Sequence, residues 1–294
     1  MINVIERTDE WNTLVFIKSS VIISGGNGGV EMSYFKKLES ICQNRKSLLC
    51  IGLDPEIPND SADPATALIE MNAKIIKATA EFAAAFKPNM AFYEAWGSKG
   101  VKALEETLRL IPQGVSIIMD AKRSDIGNTA KAYAKGIFGS LKADAVTLSP
   151  YMGRDAVDPF LAYGDKGVFM LARTSNPSAK AFQDRRFEGS ADPVYVDVAR
   201  ESLSWGENVG LVVAGNDYEG LSRVRAAAPD AWFLAPGVGA QGGEAGKALA
   251  AGTRKDGYGM LVVVVRAVCG AADPGAAARA FRDEIEAARR TAGN

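Results

Sequence analysis

An aspartate, a lysine and a second aspartate stand at Asp120, Lys122 and Asp125, directly behind the apolar run Ser116-Ile117-Ile118-Met119. The run reads as a β-strand, and side chains alternate between faces along a strand. Asp120 and Lys122 are therefore expected on one side where the strand ends. Asp125 falls in the turn and need not share that face. Asn128 or Thr129 is placed to cap a helix through Ala130, Lys131, Ala132 and Tyr133. A carboxylate and an ammonium held together at a strand mouth can serve as a reaction centre. Taken alone, the same D-x-K-x-x-D spacing also suits a surface ion pair ahead of a helix.

Composition narrows the chemistry. Among the 294 residues there is no histidine. Its absence removes Ser-His-Asp and Cys-His catalysis, imidazole metal ligation and imidazole acid–base work together. Proton transfer falls to Asp, Glu, Lys, Tyr or Cys. The cysteines Cys42, Cys50 and Cys269 are scattered without a C-x-x-C pair, so no disulfide framework or zinc site is expected, and a reducing cytoplasm fits. A formal net charge of -1 argues against a nucleic acid or a membrane surface as the main partner. No apolar run approaches the ~20 residues that span a bilayer. The N-terminal Leu14-Val15-Phe16-Ile17 and Val21-Ile22-Ile23 follow acidic rather than basic residues, the wrong pattern for a secretory signal.

The elements that must position Asp120 and Lys122 repeat along the chain. Residues 1–31, ending in Gly25-Gly26-Asn27-Gly28-Gly29, read as an appended extension, disordered or non-native, with Met32 as the functional start and 32–294 as one catalytic domain. Eight short apolar runs then alternate with helical stretches: Leu48–Asp54, Ala84–Asn89, Val115–Asp120, Ala145–Ser149, Gly167–Ala172, Gly210–Ala214, Ala231–Ala235 and Met260–Val265. A final helix starts at Asp273-Pro274. Continuous apolar strands, each followed by a helix, are the pattern of a parallel sheet covered by helices. Eight repeats suit closure into a (β/α)8 TIM barrel better than an open doubly wound sheet.

A barrel of this kind carries its chemistry at the C-terminal ends of the strands. Polar residues fall there repeatedly: Asp54; Lys87 and Asn89; Asp120, Lys122 and Asp125; Thr174, Ser175 and Asn176; Gln241 in the loop Gly237–Gly243; and Arg266. Singly, Asp54 could start a loop, Lys87 could be a surface lysine and Asn89 a turn former. Their convergence on one rim is left unexplained by those roles. The loop Pro236-Gly237-Val238-Gly239-Ala240-Gln241-Gly242-Gly243 leads into a helix, so bare N–H groups are expected to face an anion, with Arg266 adding a bidentate contact. Glycines serving only a tight turn are the simpler alternative.

With those residues assembled, the chain resembles the orotidine 5'-phosphate decarboxylases, in particular their longer bacterial subfamily. The resemblance is carried by Gly52-Leu53-Asp54-Pro55, Phe86-Lys87-Pro88-Asn89, the run from Asp120 to Thr129, Thr147-Leu148-Ser149-Pro150-Tyr151-Met152-Gly153, Arg173-Thr174-Ser175-Asn176-Pro177 and Ala235 to Gly243. It implies decarboxylation of orotidine 5'-monophosphate to uridine 5'-monophosphate without metal or organic cofactor. It further implies Lys122 as the acid that protonates C6, Asp120 against the substrate carboxylate, and Lys87 and Asp54 on the ribose, with Asn89 also at the substrate. Ser175 would meet the pyrimidine; Gln241, Gly242 and Arg266 would bind the phosphate. Asp125, Ile126 and Thr129 would reach into a partner's site, making a homodimer with shared active sites. Strand eight departs from the pattern: Val262-Val263-Val264-Val265 stands where small polar residues are expected.

A lysine flanked by carboxylates stays protonated, as a proton donor should. Like charges about 4 Å apart cost on the order of 4 kcal/mol at an effective dielectric near 20, and losing carbon dioxide relieves part of that. Three other readings compete. They are a magnesium-dependent sugar-phosphate decarboxylase or aldolase on the same barrel, a Schiff-base aldolase needing Lys122 unprotonated, and a non-catalytic phosphate-ligand barrel.

Overall fold

A computed structural model describes residues 32–239 and 243–292. The extension read over residues 1–31 lies outside them, as do Gln241 and Gly242. Eight parallel strands close on themselves in sequence order, β1 (Leu49–Leu53), β2 (Ala85–Pro88), β3 (Ser116–Arg123), β4 (Ala145–Leu148), β5 (Gly167–Arg173), β6 (Val209–Val213), β7 (Phe233–Pro236) and β8 (Met260–Val264), with β1 paired to β8. The open-sheet alternative is thereby excluded. Every residue of β1, β2, β4, β6 and β8 is buried, which is why these strands read as unbroken apolar runs rather than as alternating ones.

Helices α1 (Tyr34–Arg45), α2 (Pro64–Thr79), α3 (Ala91–Glu94), α4 (Gly97–Leu110), α5 (Gly127–Ala134), α6 (Asp158–Leu161), α7 (Lys180–Gln183), α8 (Val194–Leu203), α9 (Tyr218–Ala227), α10 (Ala245–Gly252), α11 (Arg266–Cys269) and α12 (Pro274–Ala292) fill the connections. Asp63 and Asp273 start α2 and α12 by accepting from the backbone N–H groups of Thr66 and Ala276. Among the described residues no helix is long and apolar enough to cross a membrane.

Helix α1 precedes the first strand and closes the N-terminal end of the barrel. Tyr34 and Phe35 meet the Phe169 ring edge-on, Phe35 stacks on Trp232, and the Tyr34 hydroxyl pairs with Ser116 Oγ at 3.0 Å. Glycines make the room: a Cβ on Gly167 would stand 2.1 Å from Tyr34, and one on Gly210 would stand 2.7 Å from Phe35. With that end sealed by aromatic packing, an opening into the barrel is left to the opposite rim.

Two local expectations are corrected. Neither Asn128 nor Thr129 caps α5; the helix begins at Gly127, with φ +52, and Ile126 at the cap position gives no side-chain bond. Ahead of the helix, Asp125 Oδ1 accepts from the Ile126 N–H at 2.8 Å. The helix expected through Tyr133 ends at Ala134 and passes into a π-helical turn over Lys135–Ser140. Strand three also continues past Asp120 to Arg123, by an irregularity that shapes the site.

Candidate active site

The C-terminal rim gathers three charged side chains from two neighbouring strands. Lys87 ends β2 and Asp120 lies on β3; Lys87 Nζ donates to Asp120 Oδ2 at 2.7 Å. Lys122 Nζ reaches the other oxygen, Oδ1, at 2.5 Å. The side chains of Lys87 and Asp120 are 6% and 11% exposed, whereas that of Lys122 is 50% exposed. Lys87 and Asp120 are therefore fixed by burial, while the Lys122 ammonium stands at the surface of the opening. A buried ion pair is weak evidence of stability, since apolar packing of the same volume often does as well. Two lysines around one carboxylate at a cavity are better explained by chemistry.

Asp120 and Lys122 meet where the strand ends, as expected, but not by simple alternation. Met119 pairs with Val146 and Arg123 with Leu148, so four steps on β3 oppose two on β4. Lys122 carries the left-handed φ of 47°, which costs a non-glycine residue about 1–3 kcal/mol. Opposite the irregular stretch stands Thr147 of β4, 2% exposed. Its Oγ1 accepts from the N–H groups of Ala121 and Lys122, both at 3.1 Å, and donates to Asp120 Oδ1 at 3.0 Å. From sequence, Thr147 stands only within a stretch that carries the resemblance and has no role of its own. Its signal there is a single hydroxyl in an otherwise apolar strand.

Burial by itself would raise the Asp120 carboxyl, but Lys87 and Lys122 overcome it and hold the group down at about 2. Burial works against a charged Lys87 too, and the carboxylates of Asp120 and Asp54 outweigh it, so its pKa is raised. Asp54, just past β1, is raised by burial, with Lys87 pulling the other way, and its Oδ1 is buried without a hydrogen-bond partner. That orphaned oxygen is an acceptor available to a ligand hydroxyl. Below the array the Cys50 thiol is buried and pushed up to about 12, which keeps it neutral.

These groups open onto a cavity of about 320 Å³ lined by Lys87, Asp120, Lys122 and Thr147 on one side, and by Thr174, Ser175 and Asn176 on another. Leu171, Val212, Leu234 and Pro236 complete its lining with apolar surface from β5, β6 and β7. A larger cavity, about 780 Å³, lies beside α1, Trp232 and Arg254, at the sealed end and away from the array. The wall bearing Ser175 belongs to the long connection after β5, and its own contacts brace it. Gln183 Oε1 accepts from the Thr174 N–H at 3.0 Å, and Arg173 pairs with Asp184 and, at 2.7 Å, with Asp217.

Other residues selected from sequence are placed elsewhere. Asn89 lies beside Asp120 in a parallel bridge, but its Oδ1 accepts from the Ala91 N–H at 3.2 Å, the turn-forming role. Asp125 makes no ion pair among the described residues, and Ile126 and Thr129 are exposed beside it. Arg266 opens α11 with an exposed side chain that has no hydrogen-bond partner among the described residues. The described ends of the glycine loop are tied down by backbone bonds. Gly239 N–H donates to Gly243 O at 2.8 Å, Gly243 N–H to Gly237 O at 3.3 Å, and Glu244 N–H to the Tyr218 hydroxyl at 2.8 Å. Those three N–H groups are satisfied within the protein, and the anion contacts expected of Gln241 and Gly242 lie outside the described residues. Val265, just past β8, has a packing role: a Cβ on Gly52 would meet Val265 Cγ2 at 2.5 Å, so β1 gives up a side chain to admit it. Among the described residues no group of three His, Cys, Asp or Glu side chains is placed to hold a metal ion.

Comparison with known proteins agrees with this architecture. Residues 47–281 match the model of the orotidine 5'-phosphate decarboxylase / HUMPS family. The chain is 41% identical to the orotidine 5'-phosphate decarboxylase of Thermomicrobium roseum over 272 residues, covering 88% of this chain and 97% of that one. It is 43% identical to that of Roseiflexus castenholzii, over 88% of this chain and 99% of the other. Among solved structures, the OMP decarboxylase of Leishmania donovani superposes with a TM-score of 0.81 at 44% identity, over 88% of this chain and 99% of that one.

Proposed function

The chain belongs to the orotidine 5'-phosphate decarboxylase family, and from that premise we propose how its residues divide the work. The protein is a carboxy-lyase that converts orotidine 5'-monophosphate to uridine 5'-monophosphate and carbon dioxide in pyrimidine biosynthesis. The observation that carries the assignment of roles is the alternation Lys87–Asp120–Lys122 at the mouth of a cavity with an apolar floor.

Asp120 is held ionised by two cations, so it meets an arriving substrate carboxylate as a fixed negative charge. Lys122 stands between that carboxylate and solvent with its side chain half exposed. As the carbon–carbon bond breaks, negative charge builds at C6, and the fixed cation stabilises it where it forms. Lys122 then gives its proton to C6. Lys87 cannot take this role, because it is buried against Asp120 and Asp54; it holds Asp120 in place and, with the unpartnered Asp54 oxygen, receives the ribose hydroxyls. Ser175 meets the pyrimidine edge from the opposite wall, and Asn89 keeps the rim beside Asp120 in shape. Gln241, Gly242 and Arg266 take the phosphate, whose binding energy draws the flanking loops over the site.

The finer assembly belongs to the same proposal. Asp125, Ile126 and Thr129 complete the site of a second copy, giving a homodimer. Ile126 at 55% and Tyr151 at 93% exposure support this, because large apolar side chains so exposed on the strand-end face are suited to contact another protein surface.

The test follows the orotate ultraviolet absorbance with purified protein, with and without EDTA. Loss of absorbance unaffected by EDTA is expected; loss that needs added magnesium would favour the metal-dependent reading. Lys122→Ala should abolish turnover and keep UMP binding, and an active Lys122→Ala enzyme would overturn the proton-donor assignment.

A further inference from the structure

We infer that Thr147 is a positioning residue for the decarboxylation, the group that fixes both Asp120 and the backbone of Lys122 in their working geometry. The inference rests on the reading of Lys122 as proton donor and adds a residue which that reading does not contain.

The hydroxyl of Thr147 is fully used. A hydroxyl has one proton to donate and two lone pairs to accept with. Both acceptor positions are taken, by the N–H groups of Ala121 and Lys122, and the one proton goes to Asp120 Oδ1. No rotation of the hydroxyl serves a different set, because the two N–H groups cannot reverse. The proton is thereby directed at Asp120, and the oxygen it meets must be an acceptor. Asp120 Oδ1 then receives Thr147 and Lys122, while Oδ2 receives Lys87.

The same hydroxyl answers for the irregular backbone. The two extra steps on β3 leave Ala121 and Lys122 without strand partners on β4, and a buried N–H without an acceptor is costly. Thr147 supplies the missing acceptor to both. Their satisfaction is what lets Lys122 keep its left-handed φ of 47°, and that φ aims the side chain back across Asp120 instead of outward along the strand. A threonine suits the position because its branched side chain is stiff, so the oxygen does not wander. Valine would keep the shape and remove all three bonds. Serine would keep the bonds and lose the methyl packing.

The experiment compares Thr147→Ser, Thr147→Ala and Thr147→Val, reading kcat on orotidine 5'-monophosphate and, separately, the Kd for UMP by calorimetry. The Ala and Val variants should lose on the order of 10²-fold in kcat, the scale of a small misplacement of a reacting group, with UMP affinity within about threefold. Thr147→Ser should stay within about tenfold of the parent. If Val does not fold, the Ser and Ala pair decides, since these differ only in the hydroxyl. Ala or Val variants as active as Ser would overturn the inference. So would an equal loss of kcat and UMP affinity in Ala and Ser alike, the signature of packing alone. An active Lys122→Ala enzyme would instead sink the proton-donor reading, whereas an inactive Lys122→Ala with fully active Thr147 variants would sink only the role given to Thr147.

Discussion

Replacing Asp120 by asparagine separates what its charge does for the fold from what it does for the reaction. In the native site the carboxyl is held at about 2 against an ordinary value of 3.8. Because the folded pKa is depressed, the charge contributes stability that is present above pH 3.8 and is lost as pH falls toward 2. That depression corresponds to about 2 kcal/mol from pH 7 to pH 5, falling to roughly half by pH 3 and to little by pH 2. Asp54 works in the opposite sense. Its carboxyl is raised by burial and in part by Asp120, so removing Asp120 relieves it, which makes about 2 kcal/mol an upper figure. Lost hydrogen bonds from Lys87, Lys122 and Thr147 add a constant that does not titrate.

The assay is urea unfolding of parent and Asp120→Asn proteins from pH 7 to pH 3, with the difference in stability plotted against pH. That difference should be flat from pH 7 to pH 5 and then shrink by about 1 kcal/mol by pH 3. A gap that holds steady to pH 3, or widens as pH falls, would refute the picture of a carboxylate held ionised by two cations. Activity gives an independent reading on the same variant. Asp120→Asn should lose at least about 10³-fold in kcat while retaining UMP, because the pair of lysines loses the charge that orders it.

Three further outcomes follow from separate parts of the molecule. Gly167→Ala places a Cβ 2.1 Å from the Tyr34 ring at the sealed end of the barrel and should lower stability, without changing KM, by about 1–3 kcal/mol in a denaturant titration. If active sites are shared across a homodimer, inactive Lys122→Ala and Asp125→Ala proteins mixed after unfolding should regain about a quarter of parental activity, since half the dimers are mixed and each has one intact site; no recovery on refolding together would refute sharing. Ile126→Asp should shift the protein toward monomer in sedimentation and lower activity in proportion at dilute concentration, whereas an unchanged dimer would remove this face from the interface.

How much was legible in the sequence depended on whether a feature breaks a regular pattern in the chain or in space. The barrel was legible because buried parallel strands write continuous apolar runs, and eight of them are spaced by helices. The rim was legible for the same reason, since Lys87 and Asp120 interrupt such runs at their C-terminal ends and the structure brings both, with Lys122 and Ser175, to one cavity. The anion role read for the glycine loop turns on Gln241 and Gly242, outside the described residues, while Gly239 and Gly243 spend their own N–H groups on Gly243 and Gly237 carbonyls, which the sequence does not show. The role of Thr147 was not legible because threonine is an ordinary strand residue; its three bonds exist only once β3 departs from register beside it. The left-handed Lys122 is hidden likewise, since nothing in a lysine announces a positive φ. Strand alternation would have placed Asp120 and Lys122 side by side and pointing the same way, two charges on a common face. The irregular backbone instead turns the lysine back onto the carboxylate. The site is thus the place where local regularity is given up, and the residue that makes the departure tolerable is the one the regular pattern could not reveal.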